Sequence, residues 1–212
     1  MEIISKIQSN PILLSLVSTI SIPLLIIFIS WLLRTIQSIC LTILGYFIGR
    51  KSAFAFANFL TFPGVMIHEL SHALFAVLTG GKVTKINLFN PNGYSLGSVE
   101  FQPRGSKTLQ GIQLTLIGIA PTIIGSILFY KIFQFLITHN NLSIGIYILL
   151  IYLLFCIFFH ISMSPEDVKG SITGLYVLLP VLFLIIFFTK FDIFTFLMDS
   201  FSIIQTHLKG LK

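Results

Sequence analysis

The chain has 212 residues, of which 55% are hydrophobic and only 9% are charged, and its mean hydropathy is +0.98. Soluble domains carry roughly 25% charged residues, so this composition excludes a soluble globular protein and predicts an integral membrane protein. The net charge of +6 does not indicate a nucleic-acid partner, because the basic residues lie between or beyond apolar runs, as they do beside membrane spans.

Apolar runs recur along the whole chain and predict an all-α polytopic membrane protein with about six transmembrane helices. We expect a single domain, 1–212, with N-terminal helices over 1–51, a core over 53–170 and C-terminal helices over 171–212. The predicted runs are Pro11–Leu33, Ile36–Ile48, Ala53–Thr79, Leu109–Thr138, Leu142–Met163, Ile172–Thr189 and Ile193–Leu208. The second run is shorter than the roughly 17 residues that cross a bilayer, so it is either re-entrant or joins the helix after Lys51. The last run either spans or lies at the interface.

The third run is interrupted in its middle. Pro63 and Gly64 break the apolar pattern, and Thr61 stands where a helix N-cap would place it, with Pro63 at the first helical position. Gly80 and Gly81 follow the last apolar residues and supply a left-handed C-cap. The sequence therefore predicts that a new helix begins at Pro63 and ends before Gly80.

Between Lys82 and Lys107 the pattern changes from continuous apolarity to alternation, which predicts β-structure. The alternating residues are Thr84, Ile86 and Leu88 on one face and Lys85 and Asn87 on the other. Asn90–Gly93 has the composition of a turn, and Tyr94–Phe101 is typical of a returning strand. We therefore expect one short β-hairpin directly after the helix that begins at Pro63.

The distribution of basic residues predicts an orientation. The segment from Lys82 to Lys107 carries four basic residues against Glu100, whereas the loop at His139 carries no Lys or Arg. By the positive-inside rule the hairpin is expected to be cytoplasmic and the His139 loop external. Counting onward, a loop at 166–170 is also expected on the cytoplasmic side. We expect a multi-pass protein of a bacterial cell membrane.

The broken third run contains an unusual polar cluster, His68-Glu69-Leu70-Ser71-His72. Two histidines four residues apart lie about 40° apart on one helix face, one turn from each other, which is the geometry of two ligands to one zinc ion. Glu69 is rotated by about 100° from His68 and would lie beside the metal as a base. Ionisable residues inside a span cost roughly 2.5 to 3.5 kcal/mol on insertion scales and usually mark function.

A zinc site needs a third protein ligand, and the chain has only seven acidic residues. Most of them lie near chain or span ends or on the hairpin. Glu166 and Asp167 remain, just after Pro165, which is expected to break the preceding helix and turn a carboxylate back toward the bundle. The residues alone do not decide between these two carboxylates, and His160 is a further candidate as an alternative or supporting ligand.

The stretch FPGVMIHELSHALFAVLTGGKV, with the later SPEDVKG, resembles the site-2 protease family of intramembrane zinc metallopeptidases, in a short form without a PDZ domain. The resemblance covers Pro63 to about Gly170 and implies a single metallopeptidase domain with its catalytic core at 53–170. It implies that His68, His72 and Asp167 bind Zn²⁺ and that Glu69 is the general base. The segment Gly118–Pro121 is similar to a small-residue and proline segment of that family, but we interpret it as close helix packing with a kink.

The resemblance implies an intramembrane zinc metalloendopeptidase. It would hydrolyse a peptide bond in or near a transmembrane segment of a membrane-anchored protein or hydrophobic peptide, inside the lipid bilayer and nearer the cytoplasmic face. The alternative is a non-catalytic membrane protein, either a metal-binding transporter or a degenerate protease scaffold; a base such as Glu69 has no purpose in a pure metal carrier. The hairpin either adds an unwound substrate to its edge as a further strand or merely connects two helices.

Overall fold

In a computed structural model the chain is described at residues 2–88, 97–139, 141–199 and 202. The elements in chain order are α1 (Glu2–Gln8), α2 (Pro11–Ile48), α3 (Arg50–Leu60), α4 (Phe62–Leu78), β1 (Lys82–Asn87), β2 (Ser98–Gln102), α5 (Lys107–Thr138), α6 (Ile144–His160), α7 (Pro165–Ile172) and α8 (Leu175–Thr189). A short helix, Ile193–Asp199, follows. Within these residues the fold is mostly helical with one two-stranded antiparallel sheet, as the sequence predicted.

Two to five candidate membrane spans occur in the described part of the chain. α2 and α5 are each long and apolar enough to cross a bilayer alone. Three bent pairs qualify only if both members count as one span: α3 with α4, α6 with α7, and α8 with Ile193–Asp199. The chain is thus an integral membrane protein, while the predicted number of six spans is not confirmed. The predicted Ile193–Leu208 segment lies partly outside the described residues.

The first two predicted runs, Pro11–Leu33 and Ile36–Ile48, form one helix, α2, of 38 residues. The prediction of a separate short run was wrong, because Arg34 and Thr35 are neither glycine nor proline and the helix continues through them. The Thr35 hydroxyl donates to the Trp31 carbonyl at 2.9 Å and is satisfied within the helix. The helix ends at Ile48, and the next residue is Gly49, whose φ of 84° favours glycine.

The chain forms two compact units, one comprising 1–26 with 176–212 and the other comprising 27–175. That these belong to one domain stays a prediction. In the first unit, Gln8 Nε2 donates to Asp192 Oδ2 at 2.6 Å and links the N-terminal segment to the start of the last short helix. The second unit contains all the candidate site residues.

The predicted break before the histidine helix is confirmed. α3 and α4 meet at Thr61 with a bend of 76°, and Thr61 occupies the N-cap position without capping through its side chain. Its hydroxyl instead bonds to the Ala57 carbonyl at 2.7 Å and lies 2.6 Å from His160 Nε2. Gly64 lets α4 approach α6 closely, because a Cβ there would lie 2.6 Å from His160 Cδ2.

The predicted hairpin is present, with Val83 opposite Phe101 and Asn87 opposite Ser98. The register shifts at Thr84, whose hydroxyl donates to the Glu100 carbonyl at 3.0 Å. This bulge breaks the predicted alternation of faces, and Ile86 is 45% exposed. The predicted turn Asn90–Gly93 and the first residues of the returning strand lie outside the described residues.

The predicted helix break near Pro165 is confirmed, but the segment after it is helical. α6 ends at His160, and α7 begins at Pro165 with a bend of 58° between them. The prediction of a loop at 166–170 was wrong because Ser164 and Asp167 form a capping box that starts a helix. The Ser164 hydroxyl accepts from Asp167 N at 3.1 Å, and Asp167 Oδ2 accepts from Ser164 N at 2.7 Å.

Candidate metal centre

His68 and His72 lie on one face of α4, as their spacing predicts. Their Nε2 atoms are 3.2 Å apart. Both imidazoles are largely shielded from solvent, with side-chain exposures of 14% and 9%. Two ring nitrogens therefore point at one small volume inside the helix bundle.

Backbone carbonyls fix the orientation of both rings. His68 Nδ1 lies 2.7 Å from the carbonyl oxygen of His160, and His72 Nδ1 lies 2.8 Å from that of Ile117. A carbonyl oxygen only accepts, so each Nδ1 carries the proton and donates it. In a neutral imidazole the other nitrogen then holds a lone pair, and this arrangement is typical of metal-binding histidines.

Both carbonyls are ones that their own helix leaves free. His160 is the last residue of α6, where the terminal carbonyls have no intrahelical donor. Ile117 lies inside α5, but the residue four positions later is Pro121, which has no N–H to donate. Since neither acceptor is used within its helix, each is available to a histidine of α4.

Asp167 completes the cluster from α7. Its Oδ1 lies 3.2 Å from His72 Nε2 and its Oδ2 lies 3.6 Å from His68 Nε2. The three potential ligand atoms all lie within 4.8 Å of one another. α7 can approach because residue 118 is glycine: a Cβ there would lie 2.6 Å from the Asp167 carbonyl oxygen. The close packing predicted for Gly118–Pro121 is confirmed at Gly118, while the predicted kink stays a prediction.

The donor set fits a zinc ion. Two imidazole nitrogens and one carboxylate oxygen are the ligands of many catalytic zinc sites, which leave a further position for water. Without a cation or proton between them, two imidazole lone pairs 3.2 Å apart would repel each other in a buried site. His68, His72 and Asp167 are therefore the residues that could hold the metal.

Glu69 lies on the same helix and is 8% exposed. It lines a cavity of about 940 Å³ together with the two histidines and Asp167. The hairpin packs against the Glu69 side chain at Gly97, where a Cβ would lie 2.8 Å from Glu69 Cγ. The carboxylate is thus held beside the histidines and open to the cavity, where a base acting on water would need to be.

The structure separates the remaining candidates. Glu166 is exposed and does not belong to the ligand cluster, although it lines the cavity. His160 is buried, but its ring contacts Thr61 while only its backbone carbonyl reaches His68. Sequence reasoning missed Ser164, whose S-x-x-D spacing to Asp167 is a recognisable capping-box signal. It also missed the backbone carbonyls that accept from His68 and His72. A sequence gives almost no signal for them, because every residue carries a backbone carbonyl.

Comparison with protein families agrees with this geometry. A model described as Peptidase M50B-like matches residues 55–198, about two thirds of the chain. The chain belongs to this family. The match confirms the resemblance to the site-2 protease family and makes the chain a membrane protein of a peptidase family. Comparison of this M50B-like chain with curated proteins and with solved structures gave no match.

Proposed function

We propose that this M50B-like protein is an intramembrane zinc endopeptidase. Its substrate would be a membrane-anchored protein or hydrophobic peptide, cut in or near a transmembrane segment. The observation that carries the proposal is the convergence of His68 Nε2, His72 Nε2 and an Asp167 carboxylate oxygen within 4.8 Å. A bacterial cell membrane is the proposed location. The site would lie nearer the cytoplasmic face, because the hairpin segment carries four basic residues.

The proposed roles follow from the contacts of each side chain. His68 and His72 bind Zn²⁺ through Nε2, since their Nδ1 atoms are engaged by carbonyls, and Asp167 supplies the third ligand. When bound, the ion lowers the pKa of water and polarises a carbonyl group. A Glu69 carboxylate oxygen takes the proton from the attacking water and returns it to the leaving nitrogen.

The cavity beside Glu69 supplies what a peptidase inside a membrane needs. A peptide bond in a helix is shielded by its own hydrogen bonds and by the absence of water. At about 940 Å³ the cavity is large enough for water and several residues of an unwound chain. Its lining comes from α2, α3, α4, β2, α5, the end of α6 and α7.

Metal analysis tests the proposed ligands. Protein purified in mild detergent should hold one zinc per chain by inductively coupled plasma mass spectrometry, and Asp167→Ala should lose most of it. Glu166→Ala is the matched control, because this neighbouring carboxylate is exposed and lies outside the ligand cluster. Loss of zinc in both variants, or in neither, contradicts the assignment of Asp167.

Cleavage tests the catalytic role. Wild-type protein should cut a single-span reporter and stop when 1,10-phenanthroline removes the metal. Glu69→Gln should retain zinc and lose activity by about 10² to 10⁴-fold, which is the usual contribution of a general base. A wild-type protein that holds zinc without cutting any reporter would favour the non-catalytic alternative, a metal-binding transporter or a degenerate protease scaffold.

A further inference from the structure

Asn58 is a buried polar residue that the proposed reaction has not used. It lies on α3, is 5% exposed, and its Oδ1 has no hydrogen-bond partner within the described part of the chain. Buried polar atoms in folded proteins nearly always have a partner, so each exception needs an explanation. Asn58 also lines the cavity that contains His68, Glu69 and His72.

Asn58 shares the cavity lining with one face of α2. The α2 residues that line the cavity recur at spacings of three and four, which makes them a single helical stripe. The stripe consists of Arg34, Gln37, Ser38, Leu41, Thr42 and Gly45, of which four are polar. Polar side chains in membrane helices face the bundle interior or a hydrated cavity, and here they line the same cavity as the metal ligands.

We propose that Asn58 is a substrate-positioning residue whose carboxamide hydrogen-bonds to the main chain of an unwound substrate segment. This inference rests on the proposed function and deepens it. A carboxamide carries one acceptor and two donors, which complement the N–H and C=O of a peptide bond. An intact helix has no free main-chain groups in its interior, so Asn58 selects substrates in which the helix is broken.

A second buried polar atom without a hydrogen-bond partner allows a substrate-binding role of Asn58 to be compared with a purely structural one. Ser18 Oγ, on α2, is also buried and without a partner among the described residues, but Ser18 does not line the cavity. If both unpaired atoms were merely defects of packing, removing the Asn58 carboxamide or the Ser18 hydroxyl would have the same effect on substrate binding. The proposal assigns an effect to Asn58 alone.

The test measures reporter binding in the Glu69→Gln background, where the proposed reaction cannot consume the ligand. Two fluorescent single-span peptides are compared in detergent: one with an uninterrupted apolar helix and one with an Asn-Pro-Gly break at its centre. Asn58→Leu, which is close in volume, should weaken binding of the broken peptide about tenfold, as expected for loss of a buried hydrogen-bond partner. Asn58→Ala serves if the leucine variant does not fold.

The controls separate positioning from folding. Ser18→Ala should leave both affinities unchanged, and zinc content should be the same in all variants. Binding of the uninterrupted peptide should not respond to Asn58→Leu. Equal affinity of the broken peptide with and without the Asn58 carboxamide, or no saturable binding in either protein, overturns the inference. Absence of cleavage by wild-type protein would overturn the proposed function instead, while the ratio of affinities would still test Asn58.

Discussion

Replacing Pro121 by alanine should weaken zinc binding while making α5 a better helix. The substitution restores an N–H that, in a continuous helix, donates to the Ile117 carbonyl. That carbonyl now accepts from His72 Nδ1 at 2.8 Å. The new donor competes for the same oxygen, so His72 loses the contact that fixes its tautomer and ring orientation.

The two effects have opposite signs. A proline inside a helix costs roughly 3 kcal/mol relative to alanine, although the space left by the fully buried Pro121 ring offsets part of that gain. A neutral hydrogen bond contributes about 0.5 to 1.5 kcal/mol, and loss of a partner behind a metal ligand typically lowers metal affinity by about 10 to 100-fold. We therefore expect an unchanged or higher melting temperature for metal-free protein and a zinc affinity about tenfold lower.

The assay is competition with a chelator of known affinity at fixed pH, combined with thermal unfolding of the metal-free protein. Pro180→Ala is the matched control, since Pro180 also lies inside an apolar helix, α8, but is exposed and outside the candidate site. It should leave zinc affinity unchanged. If Pro121→Ala binds zinc as tightly as wild type, the freed carbonyl does not govern His72, and the reasoning fails.

Two further substitutions probe how the site is assembled and approached. Gly118→Ala should weaken zinc binding by about 1 to 3 kcal/mol, because the new Cβ lies 2.6 Å from the Asp167 carbonyl oxygen and must push α7 away. Gly170→Ala is the control in the same chelator assay, since a Cβ there would have its nearest neighbour at 3.9 Å. Equal zinc affinity of the two variants would contradict the role of close packing at Gly118. Val99→Pro removes a main-chain donor from β2 and should slow reporter cleavage without lowering zinc content if substrate pairs with the hairpin edge. Unchanged cleavage would favour a hairpin that only connects helices.

The histidines were predictable because their placement depends only on local helix geometry. Four residues is one turn, so His68 and His72 share a face in any helix. The choice between Glu166 and Asp167 depends instead on how the next helix begins. The capping box turns the Asp167 side chain back toward the start of α7, while Glu166 lies exposed. Because the sequence was interpreted as a loop at 166–170, it gave no reason to prefer one carboxylate over the other.

The carbonyl partners were beyond prediction for a different reason. A sequence shows that Pro121 leaves one carbonyl without its helical donor, but not which helix will pack against it. The contact between His72 and Ile117 joins residues 45 positions apart and exists only once α4 lies on α5. The error in α2 has another cause. The polar residues after Leu33 were interpreted as a break between two helices, whereas α2 continues through them and several of them line the cavity.

The length of α2 limits how much of it can lie inside the bilayer. With 38 residues, α2 is about 57 Å long, nearly twice the roughly 30 Å of a hydrocarbon core. A tilt of about 40°, the upper end of the usual range, still leaves a projection of about 44 Å. Its stretch Pro11–Leu33 has no Lys, Arg, Asp or Glu and is long enough to cross the core alone. With that stretch in the core, we expect Arg34 and the polar residues after it to lie at headgroup level, and water to reach the cavity from the interface without a pore through the lipid.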